Sequence, residues 1–480
     1  MKKYITTTLP YVNAEPHIGH ALEFVQADAI ARYFRNKIGK ENVFLNVGTD
    51  EHGQKIWNTA LKEGLQPSEF VDKYAHRFVD FCNLFFVEYD NFYRTSSESH
   101  RDAAQKFWSE CDEKGNIYKK KYSGHYCIGC ERFITEKELV DGKCPDHHTV
   151  PELKEEENYF FKLSNYRDVL LQWLDANPDF IKPRYKLDEL KKFISEMEDI
   201  SISRIKENLP WGIDVPNDSN QVFYVWFDAL INYVAAVGYG TDTEKFKEWW
   251  PGIQLCGPDN LRFQGAIWQG MLASVGLPQS SKLLVHGMVL GPDGTKMSKT
   301  VGNIVSPFDQ EEKYGAEVVR FYLLTGITTY GDSAYKEEEL INSYNARLAN
   351  NYGNLLNRVI HLANSKGFKI NVEEKVEGVF KNKINNMVNE IESLYEDYEI
   401  ALAAEKIDEL ANYGNKYIND EQPWDKSVTE DKSFLILNNL GYLLSKVTQM
   451  YSPIIPESTK KAFYALENQE KIILFDKLES

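Results

Sequence analysis

The sequence predicts an α/β protein: a doubly wound parallel sheet, interrupted by a small cysteine-bearing insertion and followed by an α-helical bundle. Three observations predict it. Strand-like runs at Lys3 to Thr8 and Val43 to Val47 flank a stretch of helical periodicity, and the second ends in a polar cluster, the opening of a sheet whose ligands sit at its strands' carboxyl ends. Two pairs of metal-ligating residues then break the pattern between about Tyr118 and Asn217. From about Glu337 onward the periodicity is helical, rich in Leu, Asn, Glu and Lys. A chain of 480 residues has room for roughly three domains. The divisions fall at 1–117 and 218–290 for the two halves of the sheet domain, 118–217 for the insertion, 291–341 for a lysine loop and the segment after it, and 342–480 for the bundle.

The first strand leads through Leu9 to Pro16, a loop with two prolines and an Asn, into a helix from Ile18 to about Phe34. Ile18, Leu22, Val25, Ala29, Ile30 and Tyr33 recur at helical spacing, which puts His17 and His20 at the first turn on one face. Unpaired N–H groups and a partial positive charge at a helix start suit a phosphate, and imidazole donors there reinforce it. Two capping histidines are the plainer reading of the same pair. The second strand ends in Gly48-Thr49-Asp50-Glu51-His52-Gly53. Amphipathic helices fit Pro67 to Phe86 and His100 to Lys114.

In the insertion, Cys127-Ile128-Gly129-Cys130 and Cys144-Pro145-Asp146-His147 form two ligand pairs with zinc-knuckle spacing. They suit a closed Cys₃His site of structural type, with His148 as an alternative to His147. Cys82, Cys111 and Cys256 have no such neighbours and read as core. Lys119-Lys120-Lys121 and the Lys182 to Lys192 segment are local basic strips, either solvated surface or places where RNA lies.

The α/β pattern resumes with a strand at Gln221 to Asp228, then Ile253 to Gly257 and Leu283 to Leu290, with an aromatic helix around Phe263 to Ala273. Gly291-Pro292-Asp293-Gly294 is a turn, and Lys296-Met297-Ser298-Lys299-Thr300 follows it. Lysines on such a tip can close over a triphosphate and draw off the charge that develops in phosphoryl transfer.

The net charge of −17 argues against a general polyanion binder, though not against one structured RNA. No apolar run reaches the ~20 residues of a membrane span, and the start of the chain lacks a signal-like apolar stretch. A cytoplasmic location is expected.

The motifs Pro16-His17-Ile18-Gly19-His20 and Lys296-Met297-Ser298-Lys299-Thr300, in that order in one chain, resemble the signatures of class I aminoacyl-tRNA synthetases. Thr7-Thr8-Leu9-Pro10-Tyr11, Gly48 to Gly53, Tyr224-Val225-Trp226-Phe227-Asp228-Ala229 and Asp420-Glu421-Gln422-Pro423-Trp424 narrow the resemblance to the methionyl-tRNA synthetases, over essentially the whole chain. The single knuckle resembles the subset with one zinc.

The resemblance implies a Rossmann-like catalytic domain and an anticodon-binding bundle. Together these ligate L-methionine to tRNA(Met), initiator and elongator, through methionyl-adenylate, using ATP with Mg²⁺ and releasing AMP and pyrophosphate. It assigns ATP to His17, Gly19, His20, Lys296 and Lys299, the histidines and lysines acting in catalysis. It sets Leu9, Tyr11, Trp226, Ala229, Leu230, Tyr233, Gln264 and Trp268 around methionine, gives its ammonium to Asp50, and gives the anticodon to Asn354, Arg358 and Trp424. One structural zinc on Cys127, Cys130, Cys144 and His147 follows, and a monomer, since the chain ends soon after the bundle.

The chain departs from the common family pattern at Gln264, where many members have His, at Leu230, where many have Pro, at Gly257-Pro258-Asp259-Asn260, and at Thr300 in place of Ser. Isoleucyl, valyl and leucyl enzymes need a larger editing insertion than 118–217 allows. A small-molecule nucleotidyltransferase has no use for the lysine loop, the knuckle and the helical module.

Overall fold

A computed structural model of the chain describes residues 2–479 apart from 129–131, 135, 146–147, 298–301 and 373–374, with side chains also set aside at 132, 133 and 137. It divides into two units. The first comprises Met1–Pro16, Glu41–Phe81 and Glu88–His286; the second comprises His17–Lys40, Cys82–Val87 and Gly287–Ser480.

The first unit is built on a parallel sheet of six strands among the described residues: β1 (Lys3–Thr6), β2 (Val43–Thr49), β3 (Asn91–Arg94), β4 (Ile181–Lys182), β5 (Ile253–Cys256) and β6 (Lys282–Val285). Their order is β3-β2-β1-β5-β6-β4. Ile5 on β1 sits opposite Leu45 on one side and Ile253 on the other. The near-continuous apolar character of β2, β5 and β6 follows from burial on both faces, as parallel strands require. Gly48 is obligatory, since a Cβ there would stand 1.8 Å from the Tyr93 carbonyl oxygen on β3. The order reverses between β1 and β5, and the segments leaving their carboxyl ends, Thr7–Leu9 and Gly257–Pro258, flank that switch point.

Two stretches differ from the sequence expectation. The apolar run Gln221 to Asp228 is not one strand: Asp218–Phe223 is a strand, and Val225–Leu230 is already helix. That strand lies in a separate antiparallel sheet with Ser203–Ile205 and Asp214–Val215 rather than in the parallel one. Residues buried on every side leave no period, so a short buried helix and a buried strand read alike. The run Leu283 to Leu290 also splits. β6 stops at Val285, and Val289–Leu290 pairs in parallel with Ser333–Ala334 in the second unit.

Within 118–217, a long antiparallel hairpin joins Ile117–Cys127 to Glu152–Phe161. The same stretch returns β4 to the parallel sheet, Ile181 opposite Leu283. Three lysines of its basic strips are ion-paired: Lys119 with Asp218 at 2.8 Å, Lys186 with Glu189 at 2.7 Å and Lys191 with Asp175 at 2.5 Å. Cys82, Cys111 and Cys256 are buried, as expected of core cysteines.

The second unit is helical. Ile18–Ile38 packs with Ala316–Thr325, and the chain ends in Gly378–Glu396, Ile400–Glu421, Glu430–Tyr451 and Pro456–Asn468. A continuous helical path runs from Glu337–Tyr344 to Asn354–Ser365 through Asn345–Gly353, which winds as a π-helix. Arg320, fully buried, is a hub of this unit. Its guanidinium donates to Asp28 of the first helix, to the carbonyls of Pro453 and Ile454 at 2.8 Å each, and to Phe85 O at 3.1 Å. Arg32 adds a second bond to Asp28 at 2.7 Å. Among the described residues no helix is long and apolar enough to cross a membrane.

Candidate active site

His17 is the N-cap of Ile18–Ile38, and its Nδ1 accepts from the Gly19 amide at 3.1 Å. His20 Nδ1 accepts in turn from the His17 amide at 3.2 Å, a reciprocal capping box in which histidines take the places usually held by Ser or Thr and Glu. The rings stack 3.7 Å apart at 17°. Because both Nδ1 atoms act as acceptors, each neutral ring carries its proton on Nε2 and presents it as a donor. Burial, with the neighbouring His17 adding to it, holds the His20 imidazole well below its ordinary value of 6.5. The pair is thus at once a helix cap and a pair of donors at a helix's positive end.

The lysine loop belongs to the same unit. Gly291 and Gly294 form its turn, with Gly294 at φ +76°, and Lys296 bridges back to Leu290. Asp293 staples it: the carboxylate accepts from the Thr295 amide at 3.0 Å, the Thr295 hydroxyl at 2.8 Å and Asn303 Nδ2 at 3.2 Å. These bonds hold the Asp293 carboxyl below the usual range. Past the loop, the Val305 carbonyl accepts from the Ile18 amide at 3.1 Å. A Cβ on Gly19 would lie 4.0 Å from Met297 Cε, so the loop's own methionine reaches the histidine turn. Lys299 lies outside the described residues.

The residues assigned to methionine fall in the first unit. A backbone bridge pairs Tyr11 with Asp50: the Asp50 amide donates to Pro10 O at 2.9 Å and the Val12 amide to Asp50 O at 3.2 Å. Leu9 packs with Tyr93 and Ala236. Trp226 lies face to face on Phe263, 3.8 Å apart at 10°, while Tyr233 meets Trp268 at 5.8 Å. Leu230, Tyr233 and Trp268 share one core cluster, Trp226 packs against it, and Ala229 follows on the Trp226 helix. Gln264 donates to the Thr8 hydroxyl at 2.8 Å, and that hydroxyl to Leu255 O at 3.3 Å. This fixes the amide with Oε1 facing away, buried and without a protein partner, like the indole Nε1 of Trp268. A π-helical turn, Phe263–Ile267, carries Gln264.

Sequence reasoning missed the network that supports these groups. Asp228 is buried and bonded through one oxygen to His52 Nδ1 and through the other to His100 Nε2, both at 2.6 Å. Burial alone would raise its carboxyl, but the two imidazoles more than offset this and bring it to about 2. Glu51 is also fully buried, held by Arg94 at 2.6 and 3.0 Å and by the Thr49 hydroxyl at 2.6 Å. Trp211 donates its indole N–H to Glu51 O at 2.6 Å. The signal available was charge inside the apolar runs around Asp50 and Asp228; nothing in the sequence marked His100.

In the knuckle, Cys127 and Cys144 are buried in one small cluster with Ile134 and Leu139. Cys130 and His147 lie outside the described residues. Among the described residues no group of three or more His, Cys, Asp or Glu is gathered as a cation site. In the bundle, Asn354 is exposed, and Arg358 sets its guanidinium 5.9 Å from the Trp424 ring while donating to Asn419 Oδ1 at 2.6 Å. Trp424 is 46% exposed, so it is not a core tryptophan.

Comparison with known proteins identifies the class first. A family model described as tRNA synthetases class I (M) matches residues 3–150 and 147–360, and one described as the anticodon-binding domain of tRNA ligase matches residues 378–479. The methionine–tRNA ligase of Caldanaerobacter subterraneus subsp. tengcongensis is 39% identical over 100% of this chain and 76% of its own length, and that of Thermotoga maritima 38% over 98% and 76%. The Mycobacterium tuberculosis methionyl-tRNA synthetase solved in complex with methionyl-adenylate superposes with a TM-score of 0.91 at 34% identity, covering 98% of this chain and 96% of that one. Its apo form gives 0.83 at 30% identity, covering 96% and 91%. The chain belongs to the methionyl-tRNA synthetase family of class I.

Proposed function

We propose that the chain ligates L-methionine to tRNA(Met) through methionyl-adenylate, at the expense of ATP, releasing AMP and pyrophosphate. The observation that carries this is the stacked His17–His20 cap, two neutral Nε2 donors at a helix start, in a chain that matches an adenylate-bound synthetase along 98% of its length. The methionine carboxylate attacks the α-phosphorus of ATP and pyrophosphate leaves; the terminal ribose hydroxyl of tRNA then attacks the acyl carbon and AMP leaves. His17, Gly19 and His20 bind the phosphates. Lys296 and Lys299 stabilise the charge of the transition state, each such donor contributing on the order of 3 kcal/mol. Mg²⁺ bound with ATP supplies further positive charge there.

Asp50 takes the ammonium group. Leu9, Tyr11, Trp226, Ala229, Leu230, Tyr233, Gln264 and Trp268 enclose a soft, unbranched thioether, for which aromatic contacts are favourable. Such a pocket rejects the shorter homocysteine by only about 1–3 kcal/mol. Asn354, Arg358 and Trp424 meet the anticodon, the indole as a stacking platform. A structural zinc on Cys127, Cys130, Cys144 and His147 suits the chemistry of that donor set, and the burial of Cys127 beside Cys144 supports it. A monomer working in the cytoplasm completes the reading.

Exchange of pyrophosphate into ATP tests it. Exchange should require methionine, and exchange that required a different amino acid, or none at all with methionine, would overturn the assignment.

A further inference from the structure

Asp228 stands in a helix of six residues, Val225–Leu230, with Trp226 two places before it and Ala229 and Leu230 directly after it. A helix this short cannot fix its own direction by backbone bonds alone. The apolar contacts around it are non-directional. The carboxylate supplies the direction, because its two oxygens are bound from two different elements of the same unit. His52 comes from the turn that ends β2, two residues past Asp50, and His100 from the first turn of the helix Glu98–Glu113.

Each imidazole is itself held. His100 is fully buried and meets the Tyr93 ring edge-on at 5.5 Å, in the cluster that also holds Leu9. His52 lies against Trp211 at 5.6 Å, and the indole of Trp211 fastens the carbonyl of Glu51, between Asp50 and His52. A buried carboxylate with two imidazoles costs several kcal/mol to desolvate, and well-packed apolar side chains stabilise a core as well or better. What the charged arrangement adds is geometry: two bonds of 2.6 Å with defined directions.

We infer that His52, Asp228 and His100 are positioning residues for methionine. They lock the helix bearing Trp226, Ala229 and Leu230 to the turn bearing Asp50, so the side-chain pocket and the ammonium-binding carboxylate keep one spacing. The inference rests on the methionine site proposed above. Loss of the lock should therefore weaken methionine and leave ATP alone, whereas a merely structural cluster would lower stability and harm both substrates together.

The test is initial-rate pyrophosphate exchange by the full chain, with methionine and ATP varied separately, for the wild type, Asp228→Asn, His100→Leu and His100→Gln. Asp228→Asn and His100→Leu should raise the KM for methionine about tenfold or more with the KM for ATP within about twofold. His100→Gln, whose amide still donates to Asp228, should return to within about threefold of wild type. The inference is overturned if both KM values rise in parallel, if kcat alone falls, or if His100→Gln is as impaired as His100→Leu. Should Asp228→Asn not fold, the two His100 variants decide the matter. Failure of wild-type exchange with methionine would sink the functional reading and this inference with it, an outcome distinct from the variant results above.

Discussion

The amide of Ile18 donates to the carbonyl of Val305 at 3.1 Å, so the first residue of the histidine-capped helix holds the chain just beyond the lysine loop. The other end of the loop is pinned by the Leu290–Lys296 bridge and the Asp293–Asn303 staple. Motifs far apart in sequence are therefore joined by backbone bonds within one unit.

Gly19 tests the double duty of His17. An added Cβ would stand 3.0 Å from the Cε1 and Nδ1 atoms of the capping ring, which must give by a few tenths of an ångström and so strains the cap. Ala gains up to about 1 kcal/mol of helix propensity, and a strained cap costs at most about 1 kcal/mol. Gly19→Ala should melt within a few degrees of wild type yet exchange pyrophosphate at least about tenfold more slowly. Thermal melts and exchange rates on one preparation check both halves, and undiminished exchange would clear His17 of its role toward phosphate.

Arg320 should dominate the stability of its unit. Replacing it with Met takes one cation from the buried Asp28 while the Arg32 bond stays in place, a loss of about 3 kcal/mol. The double variant Asp28→Asn, Arg320→Met should recover part of that loss, because the buried carboxylate that lost its Arg320 bond is then neutral. Urea midpoints for the two single variants and the double variant show this; strict additivity would mean the pair is uncoupled.

The His20 imidazole, held below 6.5 by burial and by His17, gives a pH dependence of known sign. The unfolded chain binds a proton there near 6.5 and the folded chain does not, so stability is lost as pH falls below that value and continues to fall until the folded group titrates. His20→Asn keeps an acceptor for the His17 amide without the titration. Between about pH 7.5 and pH 5.5 the wild type should lose more stability than this variant, as read from denaturant midpoints. Equal losses would place the titration elsewhere.

Trp424 is 46% exposed with the Arg358 cation over its face, so Trp424→Ala should leave stability within about 0.5 kcal/mol. Charging of tRNA should drop while tRNA-independent exchange is spared. Unchanged charging would remove this residue from RNA recognition.

Native protein should contain about one zinc per chain, and Cys127→Ser or Cys144→Ser should release it. Metal analysis of protein purified without chelators checks the count, and its absence would leave two buried thiols that serve packing alone.

Strands β1, β2, β5 and β6 were readable because parallel strands buried on both faces leave apolar runs, and the helix after His17 because its larger apolar residues recur at helical spacing over a run too long for a strand, although every residue from Ala21 to Ala31 is buried. Val225–Leu230 was unreadable as helix because it is short and burial all round erases the period. β4 is two residues long, too short to leave any pattern. The assigned residues Tyr11 and Asp50 stood near motif residues and could be named; their supports could not. His100 is joined to Asp228 across 128 positions, and only the fold brings them within bonding distance.

The wider winding of Asn345–Gly353 sets a phase. Relative to an α-helix it adds a residue to the turn, which rotates everything downstream by about 100°. With that rotation Asn354 faces water while Leu355, Leu356 and Val359 face inward. The stretch is thus a gear whose tooth count matters more than its side chains. Dropping a single residue there would swing the downstream faces by about 100°, bringing part of the polar face toward the core and some leucines outward, so natural variation should tolerate substitutions in this stretch far better than changes in its length.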